Sequence, residues 1–172
     1  ILYLSIDPLT ASLSALQQKG SELGYEHICQ HELDRDTILQ LLFCHEIEPK
    51  IANERPCFID GFPASQAALA RISKEDERVA ERFELYFKGI ELANGFHELA
   101  HVEEQRQRFN ADNSLRKNND LPSVAIDELF LSALEVGLPD CAGVAVGIDR
   151  LVMLALDKPN ISQVLAFNHR NA

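Results

Sequence analysis

Hydrophobic positions along the chain fall into blocks of helical and strand-like spacing. Between Ile6 and Gly24, Leu9, Leu13 and Leu16 recur every three or four residues. This predicts a helix entered at Asp7-Pro8 and closed near Gly20 or Gly24. Residues 34–44 carry Ile38, Leu41 and Leu42 behind Asp34 and Asp36, either of which can cap a second helix. Cys57-Phe58-Ile59-Asp60 reads as a short strand stopped at Gly61-Phe62-Pro63, and residues 65–80 as loop with one helical turn. Residues 101–118 predict a long charged helix with a solvated face. Ile126 to Val136 predicts another, closed by Gly137 and Pro139. No internal repeat or low-complexity tract is visible.

The period changes to two between Arg82 and Asn94. Phe83, Leu85 and Phe87 alternate with Arg82, Glu84 and Tyr86; after Lys88-Gly89, Ile90 and Leu92 alternate with Glu91 and Ala93. With Lys88-Gly89 as a two-residue turn, 87 pairs with 90, 86 with 91 and 84 with 93. One face then holds Phe83, Leu85, Phe87, Ile90 and Leu92, and the other Glu84, Tyr86, Glu91 and Ala93. Glu84 and Glu91 become diagonal neighbours about 7 Å apart at the backbone. Two hard carboxylates in that relation suit Mg²⁺ with water and phosphate; the plain alternative is a wet acidic sheet face.

Gly143 to Leu156, GVAVGIDRLVMLAL, is the second informative stretch. The small and β-branched residues from Ala142 to Ile148 read as a buried strand, with close packing or ligand approach at Gly143 and Gly147. Asp149 can cap a following helix whose apolar segment is Leu151 to Leu156. Arg150 then lies in a first helical turn, where the dipole disfavours a cation but the free N–H groups would help it receive a phosphate. The alternative is an Arg paired with a neighbouring carboxylate.

Composition narrows the field. The 172 residues are 46% hydrophobic and 25% charged, a globular balance, and carry a formal charge of −11. That charge argues against non-specific nucleic-acid binding, so an anionic ligand would need a few placed cations or a divalent metal. No apolar run approaches the ~20 residues that span a bilayer. Cys29, Cys44, Cys57 and Cys141 are widely spaced, which fits reduced, buried thiols in a cytoplasmic protein. His27, His31, His45, His97, His101 and His169 show no metal spacing and read as surface or hydrogen-bonded groups; Phe58, Phe62 and Tyr86 read as packing. The chain opens at Ile1 without Met or a secretory leader and reads as an excised piece.

GIELANGFHEL (89–99), followed some fifty residues later by GVAVGIDRLVMLAL, resembles the C-terminal catalytic part of class II lysyl-tRNA synthetases, the second segment resembling their motif 3. Lysyl-tRNA synthetases usually show N-G-F-S-E-L, and a glycine at the position of Ala145. His97, Ala145, DRDTILQLLF (34–43) and FPASQA (62–67) are instead similar to the paralogous family of elongation factor P–lysine ligases. The fold class this implies is α+β: a class II aminoacyl-tRNA synthetase-like antiparallel β-sheet flanked by helices, incomplete as a C-terminal fragment. Residues 1–172 would be the C-terminal portion of a single catalytic domain, with motif 3 at 143–156 and motifs 1 and 2 absent.

The resemblance also implies roles. The family activates (R)-β-lysine or lysine with ATP and Mg²⁺ as an adenylate, and transfers it to a lysine side chain of elongation factor P. It uses no tRNA and no membrane, and the full-length protein is expected to be a homodimer. Glu84 and Glu91 would hold the metal, with Arg150 and Glu91 as catalytic groups. Arg150, Glu84, Glu91 and Gly147 would bind ATP, Arg150 on the γ-phosphate. Asn94 would donate to the substrate carboxylate and Glu98 receive the distal ammonium. Gly143 and Gly147 would let the strand lie beneath the nucleotide, and Ala145 would reshape the pocket floor by one methyl. For Asn94 to join Glu84 and Glu91, the strand must bulge near Asn94-Gly95. Lacking the motif 2 Arg, the chain alone is expected to be inactive. The rival readings are a lysyl-tRNA synthetase fragment and a non-catalytic synthetase-like binding module.

Overall fold

The computed structural model describes residues 3–168. The N-terminal part is a small helical cluster. Helix α1 (Leu13–Glu22) starts later than the leucine spacing predicts, because Asp7 first closes a turn through Ala11 N (2.9 Å) and Leu9 N (2.9 Å). Ser12 then caps the helix by accepting from Ala15 N at 3.2 Å. A one-turn helix α2 (Glu26–Cys29), invisible in the sequence pattern, brings Cys29 against Gly20, where any Cβ would overlap the thiol. Helix α3 (Arg35–Leu42) is capped by Asp34, whose carboxylate accepts from Asp36 and Thr37 N, as one of the two alternatives expected. Leu16, Cys29, Ile38 and Leu42 form the buried core of this cluster. After α3 the winding loosens into a π turn (Phe43–Ile47) and tightens into a 3₁₀ turn (Glu48–Lys50). The change falls just before Pro49, which has no N–H to continue an α-helix.

Four antiparallel strands follow in the order β1 (Cys57–Pro63), β2 (Val79–Phe87), β3 (Ile90–His97) and β4 (Ala142–Val146). Strand β1 runs past Gly61 instead of stopping there. An irregularity between Asp60 and Phe62, with Gly61 at φ 68°, absorbs the glycine inside the strand. Lys88 and Gly89 both have positive φ (50° and 68°), the two-residue turn expected. The pairs 87–90 and 86–91 hold, but Glu84 faces Asn94, not Ala93. The register slips between Leu85 and Tyr86 because buried Leu92 is an extra residue on β3. The bulge that Asn94 required therefore exists, two residues earlier than expected, and Ala93 lies on the face opposite Glu84.

Burial also departs from the alternation. The polar face of β2 is the covered one: Glu84 is 7% and Tyr86 5% exposed, whereas Phe83, Leu85 and Phe87 are only half-buried. The segment 43–48 packs there, with Phe43 edge-on to Tyr86 at 5.7 Å. Phe58, read as packing, is 63% exposed and stacks edge-on against Phe83. Strand β4, read as buried, is an edge strand among the described residues, with Val144 56% and Val146 45% accessible. Gly95 lies between Phe83 and β4: a Cβ there would sit 2.6 Å from Phe83 Cζ and 2.7 Å from Gly143 O. Gly95→Ala is expected to destabilise the protein by about 1–3 kcal/mol, measured by urea unfolding, since a backbone oxygen cannot step aside.

The stretch 65–80 holds one 3₁₀ turn (Ala64–Gln66) and bridges the sheet at Ala70–Glu98 and Ile72–Ala80. Helices α4 (Val102–Asn118) and α5 (Glu128–Val136) match the expected spans. The first is solvated as its charge predicts, with only Gln105 buried. Helix α6 (Ile148–Ala155) begins one residue before Asp149, so Gly147 is its N-cap position and Asp149 lies in the first turn. The fold is α+β, and among the described residues no helix is long and apolar enough to cross a membrane.

Candidate active site

Glu84 anchors the site on the covered face of β2. Its Oε1 accepts from Arg82 Nη2 (2.5 Å) and Asn94 Nδ2 (2.9 Å), and its Oε2 from the Tyr86 hydroxyl (2.6 Å). Arg82 is itself fixed by Gln66 O (3.0 Å) and by the Phe62 ring, 4.5 Å below its guanidinium carbon. Three of the roughly four lone-pair directions of the carboxylate are thus used, leaving about one. An apolar cavity of about 180 Å³ also reaches Glu84, between α3 and β1.

Glu91, opposite Tyr86, is half-buried and less engaged. Arg150 Nη1 donates to Glu91 O at 2.6 Å and lies 3.4 Å from Glu91 Oε2. The guanidinium stays partly open to solvent, its side chain 45% exposed. Gly147 makes this approach possible: a Cβ there would press on the Arg150 stem, 3.2 Å from Cδ. Gly147 N donates to Leu92 O (2.8 Å), so the bulge on β3 also carries the entry into α6. Arg150 does lie in the first helical turn, where it meets a neighbouring carboxylate and, among the described residues, uses only Nη1 in hydrogen bonds.

A third carboxylate joins this group. Burial first, then the charges of Glu91 and Glu84, hold the Glu48 carboxyl above its ordinary range, while Cys44 and Arg150 act the other way. Burial, the bond to Glu84 and the three carboxylates push the Tyr86 phenol upward. Glu48, Glu84, Glu91 and Arg150 therefore share one region. The sequence offered no period linking Glu48 to the hairpin, which lies beyond a loop and a strand. Arg82 was legible as a neighbour of Glu84 on one strand face, but its role as clamp was not.

Along the same face, Asn94 pairs with Ala145 and Phe96 with Gly143. The Asn94 amide is turned onto Glu84, and among the described residues its second N–H and its Oδ1 have no partner. Glu98 is half-buried, and its Oε1 fills the space that a side chain at Gly143 would occupy. Among the described residues, no hydrogen-bond donor reaches the Glu98 carboxylate. His97 binds Glu81 and Asp140 on the other face, and His101 caps α4 through Glu104 N at 3.3 Å. His27, His31 and His45 are exposed; His169 lies outside the described residues. The four cysteines are free thiols, of which only Cys29 is fully buried.

The donor set suits a hard cation. Glu91 has open oxygen sites, Glu84 retains one, and both belong to the same face. Among the described residues, no three His, Cys, Asp or Glu groups converge tightly enough to hold a metal alone. A cation here would complete its sphere with water and phosphate oxygens, as Mg²⁺ does.

Residues 16–171 match the family described as tRNA synthetases class II (D, K and N). The chain is also 58% identical over 165 residues to the elongation factor P–(R)-β-lysine ligase of Pseudoalteromonas translucida (strain TAC 125). That alignment covers 96% of this chain and 51% of the relative, so the chain spans about half the length of the curated relative it matches. With its antiparallel sheet, the glycine-lined strand β4 and the arginine that opens α6, the chain belongs to the class II tRNA synthetase family of the D, K and N type.

Proposed function

We propose that the chain is the C-terminal portion of the catalytic domain of an ATP-dependent ligase. The enzyme activates (R)-β-lysine or lysine as an adenylate and forms an amide on a lysine of elongation factor P. The observation that carries the substrate class is Glu98: a half-buried carboxylate that no donor reaches among the described residues, on the same sheet face as the Glu84–Glu91–Arg150 group. An uncompensated carboxylate in such a setting calls for a cationic ligand, and an aliphatic ammonium fits. The relative's identity adds the acceptor protein to this reading.

In this reading each residue has a physical task. Glu98 holds the distal ammonium, and Asn94 presents its free N–H to the substrate carboxylate, directing it toward the α-phosphate. Arg150, anchored through a carbonyl, turns its open donors to the outer phosphate and steadies pyrophosphate as it departs. Glu91 and Glu84 hold Mg²⁺, which when bound neutralises charge on the phosphates. The glycines at 143 and 147 give Glu98 and Arg150 their room. Ala145, opposite Asn94, sets the floor beneath the amino group, where one methyl distinguishes α- from β-amino acids. Motifs 1 and 2 are expected in the preceding part of the protein, and residues 3–168 alone leave the outer edge of β4 unpaired.

The test is lysine-dependent ATP–pyrophosphate exchange by the full-length protein, followed by transfer to elongation factor P or to tRNA. Exchange with (R)-β-lysine or lysine and labelling of elongation factor P is the expected result. Charging of tRNA instead would assign a lysyl-tRNA synthetase, and absence of any exchange a binding module.

A further inference from the structure

We propose that His97 is a positioning residue for substrate binding: its ring ties β2 to the entry of β4 and so keeps Glu98 aimed across Gly143. This rests on the reading of Glu98 as the ammonium receptor. His97 ends β3 and points to the sheet face opposite Asn94 and Phe96. Its Nδ1 lies 2.6 Å from Glu81 Oε2 on β2, and its Nε2 2.6 Å from Asp140 Oδ1, two residues before β4. A neutral imidazole has one N–H and would turn a lone pair on one of these carboxylates; only the doubly protonated ring donates to both.

Arg71 closes the cluster from the 65–80 stretch. Its Nη1 meets Asp140 Oδ1 at 2.7 Å and its Nε donates to Glu98 O at 2.6 Å. The groups facing His97 are therefore Glu81, Asp140 and Arg71, so the cluster is two cations and two anions. Asp140 first and Glu81 second raise the His97 pKa above its ordinary value, against the opposing charge of Arg71. The main chain around Glu98 is pinned by the same elements: Arg71 N donates to His97 O (2.9 Å), Glu98 N to Cys141 O (3.0 Å) and Leu99 N to Leu69 O (3.0 Å).

The coupling matters because Glu98 follows the end of β3 while Gly143 lies on β4, so their relative position depends on how the two are joined. Asp140 and Cys141 are where β4 joins the cluster. Loosening that joint lets Gly143 move relative to Glu98, which alters the amino-acid pocket while leaving Arg150 and Glu91 untouched, since they are joined through Gly147 and Leu92. The sign with pH follows: the ring is charged and the joint closed below the raised His97 pKa, and the joint opens as pH climbs through it.

The experiment is pyrophosphate exchange by the full-length protein carrying His97→Gln, Asp140→Asn or Glu98→Gln, across pH. His97→Gln is expected to raise the KM for the lysine-type substrate roughly tenfold, with the KM for ATP and kcat within about threefold. The wild-type amino-acid KM should rise as pH passes the His97 pKa, and the His97→Gln profile should lose that rise. Asp140→Asn, at a side chain 75% exposed and so safe for folding, should move the break to lower pH. An unchanged amino-acid KM and pH profile in His97→Gln, an equal rise in both substrates' KM, or an unmoved break in Asp140→Asn would overturn the proposal. If Glu98→Gln leaves the amino-acid KM unchanged, the reading of Glu98 fails first, and this inference fails with it.

Discussion

Glu98→Gln in the full-length protein should raise the KM for the lysine-type substrate by tenfold to about 150-fold, with little change in the KM for ATP. Gln keeps the shape that fills the space over Gly143 and removes only the charge. A hydrogen bond to a charged group contributes about 1.5–3 kcal/mol, which converts to that range. No protein donor is released by the change, because none reaches this carboxylate among the described residues. The variant should therefore fold as the wild type does, and steady-state exchange kinetics read the loss directly. A KM for lysine equal to that of the wild type would remove Glu98 from the pocket.

Glu91→Gln should act on the other substrate. The expected result is a fall in kcat on the order of 10²- to 10³-fold, partly restored by raising Mg²⁺, with a lysine KM near the wild-type value. Glu91 is a clean probe because Arg150 is held mainly by its backbone oxygen at 2.6 Å, which the substitution leaves in place. The side chain is half-exposed, so stability should stay within about 0.5 kcal/mol. Glu84→Gln would be harder to interpret, since Arg82, Asn94 and Tyr86 all depend on that carboxylate. An Mg²⁺ titration that superimposes on the wild type would show that Glu91 does not hold the metal. Together the two variants test whether Glu98 serves the amino acid and Glu91 the metal and phosphates.

The contrast between Glu84 and Glu91 has a physical origin in the bulge at Leu92. Without it Asn94 would share a face with Phe83, and Glu84 would lose one of its three donors. With it Asn94 reaches Glu84, Ala93 turns away, and Leu92 O becomes free to receive Gly147 N. One additional residue thus aligns the Asn94 amide, the buried carboxylate and the strand that leads to Arg150. Bulges re-aim side chains in this way beside active sites.

Much of this was readable from residue order. The Lys88-Gly89 turn, the cap at Asp34, the close of α5 at Gly137 and the first-turn position of Arg150 follow from local chemistry. The pairing of Tyr86 with Glu91 follows from turn length, and the need for a bulge from the mismatch of Asn94 with its neighbours. The position of that bulge was not readable, because moving it by two residues alters no local preference. The place of Glu48 is illegible for a different reason: nothing near it in the chain tells that a π turn will carry it to the hairpin.

Sequence alone determined the element types, the turn that folds the hairpin and the residue chemistry available on each strand face, since these depend on neighbours a few positions apart. Only the tertiary structure decided which face of β2 is covered and that His97 meets partners 16 and 43 residues away. Alternation says that two faces differ; it cannot say which one a distant segment will reach. That choice is made by packing, and here it buried the carboxylate rather than the phenylalanines.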